Sequence, residues 1–131
     1  MPVDLERSPD QVDFDLGDTV PPMSRARKWI TANASVLDKS QLLDLLLITD
    51  ALLTNAFEHA LEPRRLRLSH PPGGLVRVEV DDASPERLPV LGKLGGRGLH
   101  HRGLLLVNRL SSRWGVDPQV GYKTVWGEVA F

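Results

Sequence analysis

The chain has 131 residues, a formal net charge of −1, 41% hydrophobic residues, 25% charged residues and no cysteine. This length suits one compact domain, and the composition is that of a globular protein rather than a disordered or fibrous one. Without cysteine there is no disulfide framework and no thiol nucleophile, and a cytoplasmic location is expected. The balanced charge argues against direct nucleic-acid binding, and the acidic N-terminal stretch predicts neither a signal peptide nor a membrane span.

The first half of the chain predicts a strand followed by two helices. Residues 1–11 are polar and irregular, so we expect a flexible N-terminal segment before a single domain over 12–131. Apolar residues alternate with aspartates over 12–16, which is the pattern of a short strand with one dry face. Helical periodicity predicts a first helix over 24–35 and a second over 39–61, and the apolar middle of the second indicates a central helix covered on several sides.

The second half of the chain predicts more strands and one further helix. These elements are a β-hairpin (65–70 and 75–81), a third helix (103–113) and two closing strands (114–116 and 123–131). Each predicted strand has one apolar face and one polar or mixed face. The sequence therefore predicts an α+β two-layer sandwich, with three helices packed on one face of a mixed, mainly antiparallel sheet, in the order β-α-α-β-β-α-β-β.

Two polar residues interrupt the apolar central helix. Asn55 and His59 are four residues apart, so they share one face of the helix. An amide buried without a partner costs about 1–3 kcal/mol, so Asn55 needs one. Either Asn55 is a satisfied core residue, or its oxygen faces a cleft and binds a magnesium ion that carries phosphate oxygens.

A second polar group follows the strand VRVEV. A carboxylate at this position, Asp82, can accept a hydrogen bond from an amino group such as the exocyclic amine of adenine, and Ser84 is small enough to admit a planar base. The alternative interpretation is an Asx or Ser turn that ends the strand.

Glycines and arginines cluster just before the third predicted helix. Gly96, Arg97, Gly98, Arg102 and Gly103 could place backbone N–H groups and positive charge against phosphates, and the helix start would favour anions. The spacing is neither G-x-G-x-x-G nor that of a P-loop. A flexible loop without function remains the alternative.

These motifs together resemble a known family. TNAFEHA resembles the N-box, VEVDDASP the adenine box, RGLLLVNRLSSRWGV the phosphate-binding helix, and GYKTVW the last strand of the GHKL (histidine-kinase-like) ATPase superfamily. Within it, the chain is similar over about residues 20–131 to single-domain proteins related to bacterial anti-sigma-factor serine kinases. The helix-over-sheet sandwich of that family agrees with the element order predicted from the periodicity.

The resemblance implies ATP and Mg²⁺ as cofactors and assigns the nucleotide contacts. By this resemblance Asn55 would bind magnesium, and His59 would line the phosphate side of the site. Asp82 would bind the adenine amine, with Ser84 beside the base. Thr124 would reach the nucleotide from the sheet.

The resemblance also implies that a mobile lid precedes the phosphate-binding helix. In the preferred register Gly103 and Leu104 begin that helix, with Arg102 nearby, because the distance from Gly103 to Trp114 fits the family. An intact Gly-Arg-Gly-Leu at 96–99 provides a second register, in which the helix would begin near Gly98.

The sequence departs from the family pattern at the catalytic base. The kinases carry a glutamate four residues before the N-box asparagine, whereas this chain has Ala51. Asp50 is a weak candidate to replace it, because it lies about 100° round the helix. General-base catalysis commonly contributes about 10²–10⁴-fold, so ATP could bind and yet turn over slowly.

Two functions therefore follow from the resemblance. One is an ATP-binding regulator that engages, and phosphorylates, a protein partner such as a sigma factor or an anti-anti-sigma antagonist. The alternative is a nucleotide-dependent protein-binding module with little or no kinase activity. Relatives of this kind pair as dimers, so a homodimer is part of the expectation.

Overall fold

The elements of the fold follow the predicted order. The computed structural model describes residues 11–16, 22–60, 63–85 and 99–131, so the predicted flexible segment lies outside the described residues except for Gln11. The elements are β1 (Val12–Asp15), α1 (Met23–Asn33), α2 (Lys39–His59), β2 (Arg65–Ser69), β3 (Leu75–Asp82), α3 (Leu99–Leu110), β4 (Arg113–Pro118) and β5 (Lys123–Ala130).

The five strands form one sheet in the spatial order β1-β2-β3-β5-β4. All four pairings among the described strands are antiparallel, so the sheet that we predicted as mixed and mainly antiparallel contains no parallel pair there. The reason is the path of β5. This strand lies between β3 and β4 and runs opposite to both, so β3 and β4, which are parallel to each other and joined through α3, are not hydrogen-bonded neighbours.

One face of the sheet packs against the helices. Alternate residues of β2, β3 and β5 point to this face, as the period of a strand requires. The buried residues of the three strands are Leu66, Leu68, Val76, Val78, Val80, Val125 and Val129. Helix α2 contacts both β3 and β5 and lies against α1 and α3, so it occupies the central position that its apolar sequence predicted.

Helix α2 approaches the sheet closely at a glycine. A Cβ atom added to Gly127 of β5 would lie 2.9 Å from Cγ2 of Ile48, closer than carbon atoms approach without a shift. The N-terminus of the helix is fixed by a capping box, in which Asp38 accepts a bond from the Gln41 backbone at 2.8 Å and the Gln41 side chain accepts one from Asp38 at 2.9 Å. These contacts set both the start of α2 and its distance from the sheet.

The outer face of the sheet, opposite the helices, carries a network of charged side chains. Its ion pairs join Arg67 with Glu79 and Asp81, Arg77 with Glu79 and Glu128, and Arg113 with Glu128. The guanidinium of Arg77 also lies 4.2 Å from the centre of the Trp126 ring. Paired charges and an aromatic ring thus cover this face, over which none of the described helices lies.

None of the described helices combines the length and the apolarity that crossing a membrane requires.

Candidate functional site

The end of helix α2 and the end of strand β3 lie at the same end of the molecule. Arg65, the first residue of β2, pairs with Asp81 near the end of β3. The chain reaches Arg65 directly from α2, and the guanidinium of Arg64 donates to the carbonyl oxygens of Ala56 and Ala60 at 3.1 and 2.8 Å. The last turns of α2 are thereby held next to the end of β3, where Asp82 lies.

Helix α3 and strand β5 also begin at this end. Lys123, the first residue of β5, pairs with Asp82, whereas Arg113 at the start of β4 pairs with Glu128 near the other end of β5. The α3 C-terminus is held close to Glu128, whose carbonyl oxygen accepts from the backbone of Ser112 at 2.7 Å. Because the α3 C-terminus lies near Glu128 and the helix packs against α2, its N-terminus lies toward the end of the sheet where β5 begins. Four element ends thus lie at this end of the molecule.

Asp82 is buried at the centre of this region, with 1% of its surface exposed. Its Oδ1 accepts a hydrogen bond from the backbone of Ser84 at 2.9 Å and one from Nζ of Lys123 at 2.8 Å. Its Oδ2 has no hydrogen-bond partner among the described residues. A buried carboxylate oxygen without a partner is costly, so the arrangement leaves a strong acceptor ready for a ligand donor such as an amino group.

Ser84 lies beside Asp82, and the turn between them is the Asx turn of the alternative interpretation. Its side chain is fully buried, and its backbone completes an Asx turn with the Asp82 carboxylate. Its carbonyl oxygen accepts from Nζ of Lys123 at 3.0 Å. The turn therefore ends the strand and at the same time fixes the direction of the Asp82 side chain.

Lys123 is a member of this cluster that the sequence reasoning did not find. Its side chain is 1% exposed and contacts both Asp82 and Ser84. A signal was present, because Lys123 has the same parity as Val125 and Val129, which places it on the apolar face of β5. A lysine at an apolar position of a strand needs a buried acceptor, and Asp82 provides it.

Thr124 lies on the other face of the sheet. Its hydroxyl donates to the Asp81 carboxylate at 2.6 Å, and both side chains lie on the outer face, within the network of charged side chains. Successive residues of a strand point to opposite faces, so the structure separates Thr124 from Asp82 and brings Lys123 there instead. That Thr124 reaches the nucleotide from the sheet stays a prediction, and the structure places its hydroxyl on the face opposite the Asp82 side chain.

Asn55 lies in α2, 6% exposed, four residues before the end of the helix at His59. The part of the chain that the structure describes offers no hydrogen-bond partner to its side-chain amide. An amide oxygen of this kind fits Mg²⁺, which takes oxygen ligands and fills its remaining positions with phosphate and water. The helix puts His59 one turn further toward the same end of the molecule.

Helix α3 begins earlier than predicted. It starts at Leu99 rather than Gly103 and ends at Leu110 rather than Arg113, so Arg102, Gly103 and Leu104 lie inside its first two turns. A glycine costs about 1 kcal/mol inside a helix relative to alanine, which neighbouring helical residues can offset. The start near Gly98 belongs to the second register of the sequence.

The three lid residues of that second register, Gly96, Arg97 and Gly98, lie outside the described residues.

Asp50 does not lie free in a cleft. Both of its carboxylate oxygens accept from the guanidinium of Arg27 on α1, at 2.7–3.1 Å. Ala51, at the position of the family glutamate, is partly buried and packs against the hydrophobic core. The described part of α2 thus presents no free carboxylate at positions 50 and 51.

An open groove of about 860 Å³ extends across the end of the sheet, from β1 and β2 to the β4–β5 turn. Its walls include Asp13, Arg65, Asp81 and Tyr122. Asp81 contacts side chains of the outer face, so the groove opens on the face opposite the Asp82 side chain, and Ala83, the residue after Asp82, also lines it.

Comparisons with known proteins show the fold and leave the sequence family open. No protein-family model and no curated protein matches the chain. Its fold is similar to the crystal structure of the RsbU and RsbW domains of Rv1364c from Mycobacterium tuberculosis, with a TM-score of 0.67 and 17% sequence identity. The match covers 92% of this chain but 32% of that one, so the chain spans about a third of its length. The predicted fold class, three helices on one face of a sheet, is confirmed.

Proposed function

We propose that this chain is an ATP-binding regulatory protein of the anti-sigma-kinase type, which uses ATP and Mg²⁺ to engage a protein partner such as a sigma factor or an anti-anti-sigma antagonist. Two independent lines support it. The motifs resemble those of the single-domain GHKL proteins, and the fold is shared with a structure that contains RsbU and RsbW domains. The observation that carries the proposal is the buried Oδ2 of Asp82, an acceptor without a partner among the described residues.

In this proposal the base binds at Asp82. The exocyclic amine of adenine donates to Oδ2, while Oδ1 keeps its bonds to Ser84 and Lys123. Because the carboxylate is held from two sides, it needs little reorganisation to receive the base. The small side chain of Ser84 beside it suits the plane of a purine.

The phosphates extend from the base toward α2 and α3. The N-terminus of α3 carries partial positive charge and N–H groups that have no partner within the helix, which suit an anion. Asn55 would hold the magnesium ion through its amide oxygen, and the ion would neutralise phosphate charge there. The chain itself supplies position and charge, which are the dominant contributions to phosphoryl transfer.

A specific observation favours the second candidate, a nucleotide-dependent binding module without useful transfer. Ala51 has no proton acceptor, and the Asp50 carboxylate is held by Arg27. In this version ATP controls the affinity for the partner, and no phosphate moves. The two candidates share the nucleotide site and differ only in transfer.

Calorimetric titration of MgATP into the wild-type chain tests the site. We expect binding that weakens about tenfold or more when EDTA removes Mg²⁺, because the phosphates then lose their counter-charge. In Asn55→Ala the difference between Mg²⁺ and EDTA should shrink. Asn33→Ala on α1, whose amide donates to the Trp29 carbonyl, is the matched control and should behave as wild type. Wild-type affinity in Asn55→Ala with the full Mg²⁺ effect would contradict the proposed metal site.

Transfer separates the two candidates. The chain is incubated with ATP labelled at the γ-phosphate and with a purified anti-anti-sigma antagonist that bears the acceptor serine. If the base is missing, Ala51→Glu should raise labelling by about 10²-fold, and Ala51→Gln, equal in size but without a carboxylate, should not. Rapid labelling by the wild-type chain would reject the binding-module version.

A further inference from the structure

The buried pair of Lys123 and Asp82 has features that strand pairing alone does not explain. The lysine ammonium has three N–H donors, and two of them bind Asp82 Oδ1 and the Ser84 carbonyl oxygen. Within the described residues the third donor has no acceptor. On the carboxylate side Oδ2 is likewise unpartnered. The buried ammonium of Lys123 can therefore donate one more hydrogen bond, and the buried carboxylate of Asp82 beside it can accept one more.

Stability does not account for this pair. Taking two charges out of water costs several kcal/mol per ion, and a buried ion pair is often no more stabilising than apolar residues of similar volume. The position of Lys123 on β5 lies on the same face as Val125 and Val129, where an apolar side chain would pack without that cost. The pair is better explained by what it can bind.

We propose that Lys123 and Asp82 together recognise the Watson–Crick edge of adenine, and that Lys123 is a specificity-determining residue for 6-aminopurines. The adenine N6 amine donates to Asp82 Oδ2, and adenine N1 accepts from the third N–H of Lys123. This inference rests on the proposed nucleotide site and adds a second contact to it.

The same pair rejects 6-oxopurines. Guanine and hypoxanthine carry a carbonyl oxygen at C6 and a hydrogen at N1, so their donor and acceptor are exchanged relative to adenine. The oxygen would face a carboxylate oxygen, and the N1–H would face the ammonium. Both contacts become repulsive, and a site built for a particular hydrogen-bond pattern discriminates strongly against its reversal.

Nucleotide analogues test the inference on the unmodified protein. Affinities of the wild-type chain are measured by calorimetry for ATP, GTP, 1-deaza-ATP, in which a C–H replaces N1, and 7-deaza-ATP, which keeps N1 and N6. We expect ATP and 7-deaza-ATP to bind alike, 1-deaza-ATP to bind about tenfold more weakly, and GTP about 100-fold more weakly.

A variant series assigns the contact to the lysine. Lys123→Met keeps the length of the side chain and removes the donor, so the difference between ATP and 1-deaza-ATP should disappear. Lys39→Met, at the exposed start of α2 and far from Asp82, is the control and should keep the difference. Circular dichroism checks folding, and if Lys123→Met is unfolded, the wild-type analogue series still decides.

The outcomes separate this inference from the proposed function. Equal affinity of wild type for ATP and 1-deaza-ATP, with binding still dependent on Asn55, overturns the role of Lys123 and leaves the nucleotide site standing. Absence of ATP binding in wild type and in Asn55→Ala alike overturns both. Binding that appears only after Lys123→Ala also overturns the inference, because the lysine would then occupy the place of the base.

Discussion

Glu128 of β5 has no exposed surface, and the guanidinium of Arg77 on β3 contacts its carboxylate at 2.6 Å. Arg113 contacts the other carboxylate oxygen at 2.9 Å. Burial opposes ionisation of Glu128, but hydrogen bonds from Arg113 and Arg77 outweigh it and hold the pKa of Glu128 below its ordinary value. The residue thus links three strands through charge on the outer face of the sheet.

This relationship predicts an acid-sensitive contribution to stability. A carboxyl whose pKa is lower in the folded state binds fewer protons there than in the unfolded chain, so its stabilisation is present above the unfolded pKa. It is lost as the pH falls from the ordinary value of 4.5 through the lower folded pKa. In Glu128→Gln this loss of stability in acid should be absent. At pH 7 the free energy of unfolding of the variant should be lower than that of wild type by roughly 2–3 kcal/mol.

Urea unfolding of both proteins between pH 2.5 and 7 measures the difference. The gap in unfolding free energy between wild type and Glu128→Gln should narrow steadily as the medium is acidified. A gap that stays constant across this range would show that the charge on Glu128 does not support the sheet.

The close approach of α2 to the sheet predicts a steric limit at Gly127. Gly127→Ala places a methyl group 2.9 Å from Cγ2 of Ile48, so the helix or the strand must shift. We expect a loss of about 1–3 kcal/mol in the free energy of unfolding, as for other overpacked cores. Ala130→Val, on the exposed end of the same strand, should change it by less than about 0.5 kcal/mol. Equal stability of Gly127→Ala and wild type would mean that α2 does not lie this close.

Arg27 and Asp50 give a prediction about catalysis. Because Arg27 holds both oxygens of Asp50, this carboxylate should tie α1 to α2 without acting as a base. In Asp50→Asn, MgATP affinity and the rate of any phosphate transfer should stay close to wild type, while thermal stability falls. A drop in transfer by 10²-fold or more at unchanged ATP affinity would instead identify Asp50 as the base.

The sequence predicted much of the fold because each strand alternates regularly and the central helix is nearly all apolar. Parity along β3 and β2 placed Val78 and Leu68 on the correct face, and both are fully buried. Parity also put Trp126 and Glu128 together on the other face. The partners that bury Glu128 could not be predicted, because Arg77 is 51 residues away and the pairing depends on the register of two strands.

The site was predictable in part, for a physical reason that differs between residues. Asp82 is marked by its place directly after an alternating strand, so its burial at the strand end followed from local pattern. Lys123 and Thr124 are neighbours, and the alternation with Val125 places Lys123 on the apolar face of β5. Its pairing with Asp82 depends on the register of β5 against β3, which the local pattern does not give. The start of α3 was missed because Gly103 resembles a helix boundary although the chain is already helical at Leu99.

The central claim is that Asp82 accepts the adenine amine, and its neighbour provides a matched control. Asp81 is also a buried carboxylate of β3, but it accepts from Thr124 and Arg67 on the outer face. Calorimetric titration with MgATP should therefore show an affinity reduced at least about tenfold in Asp82→Asn, and close to that of wild type in Asp81→Asn. Equal affinity for MgATP in wild type and a folded Asp82→Asn would contradict the account.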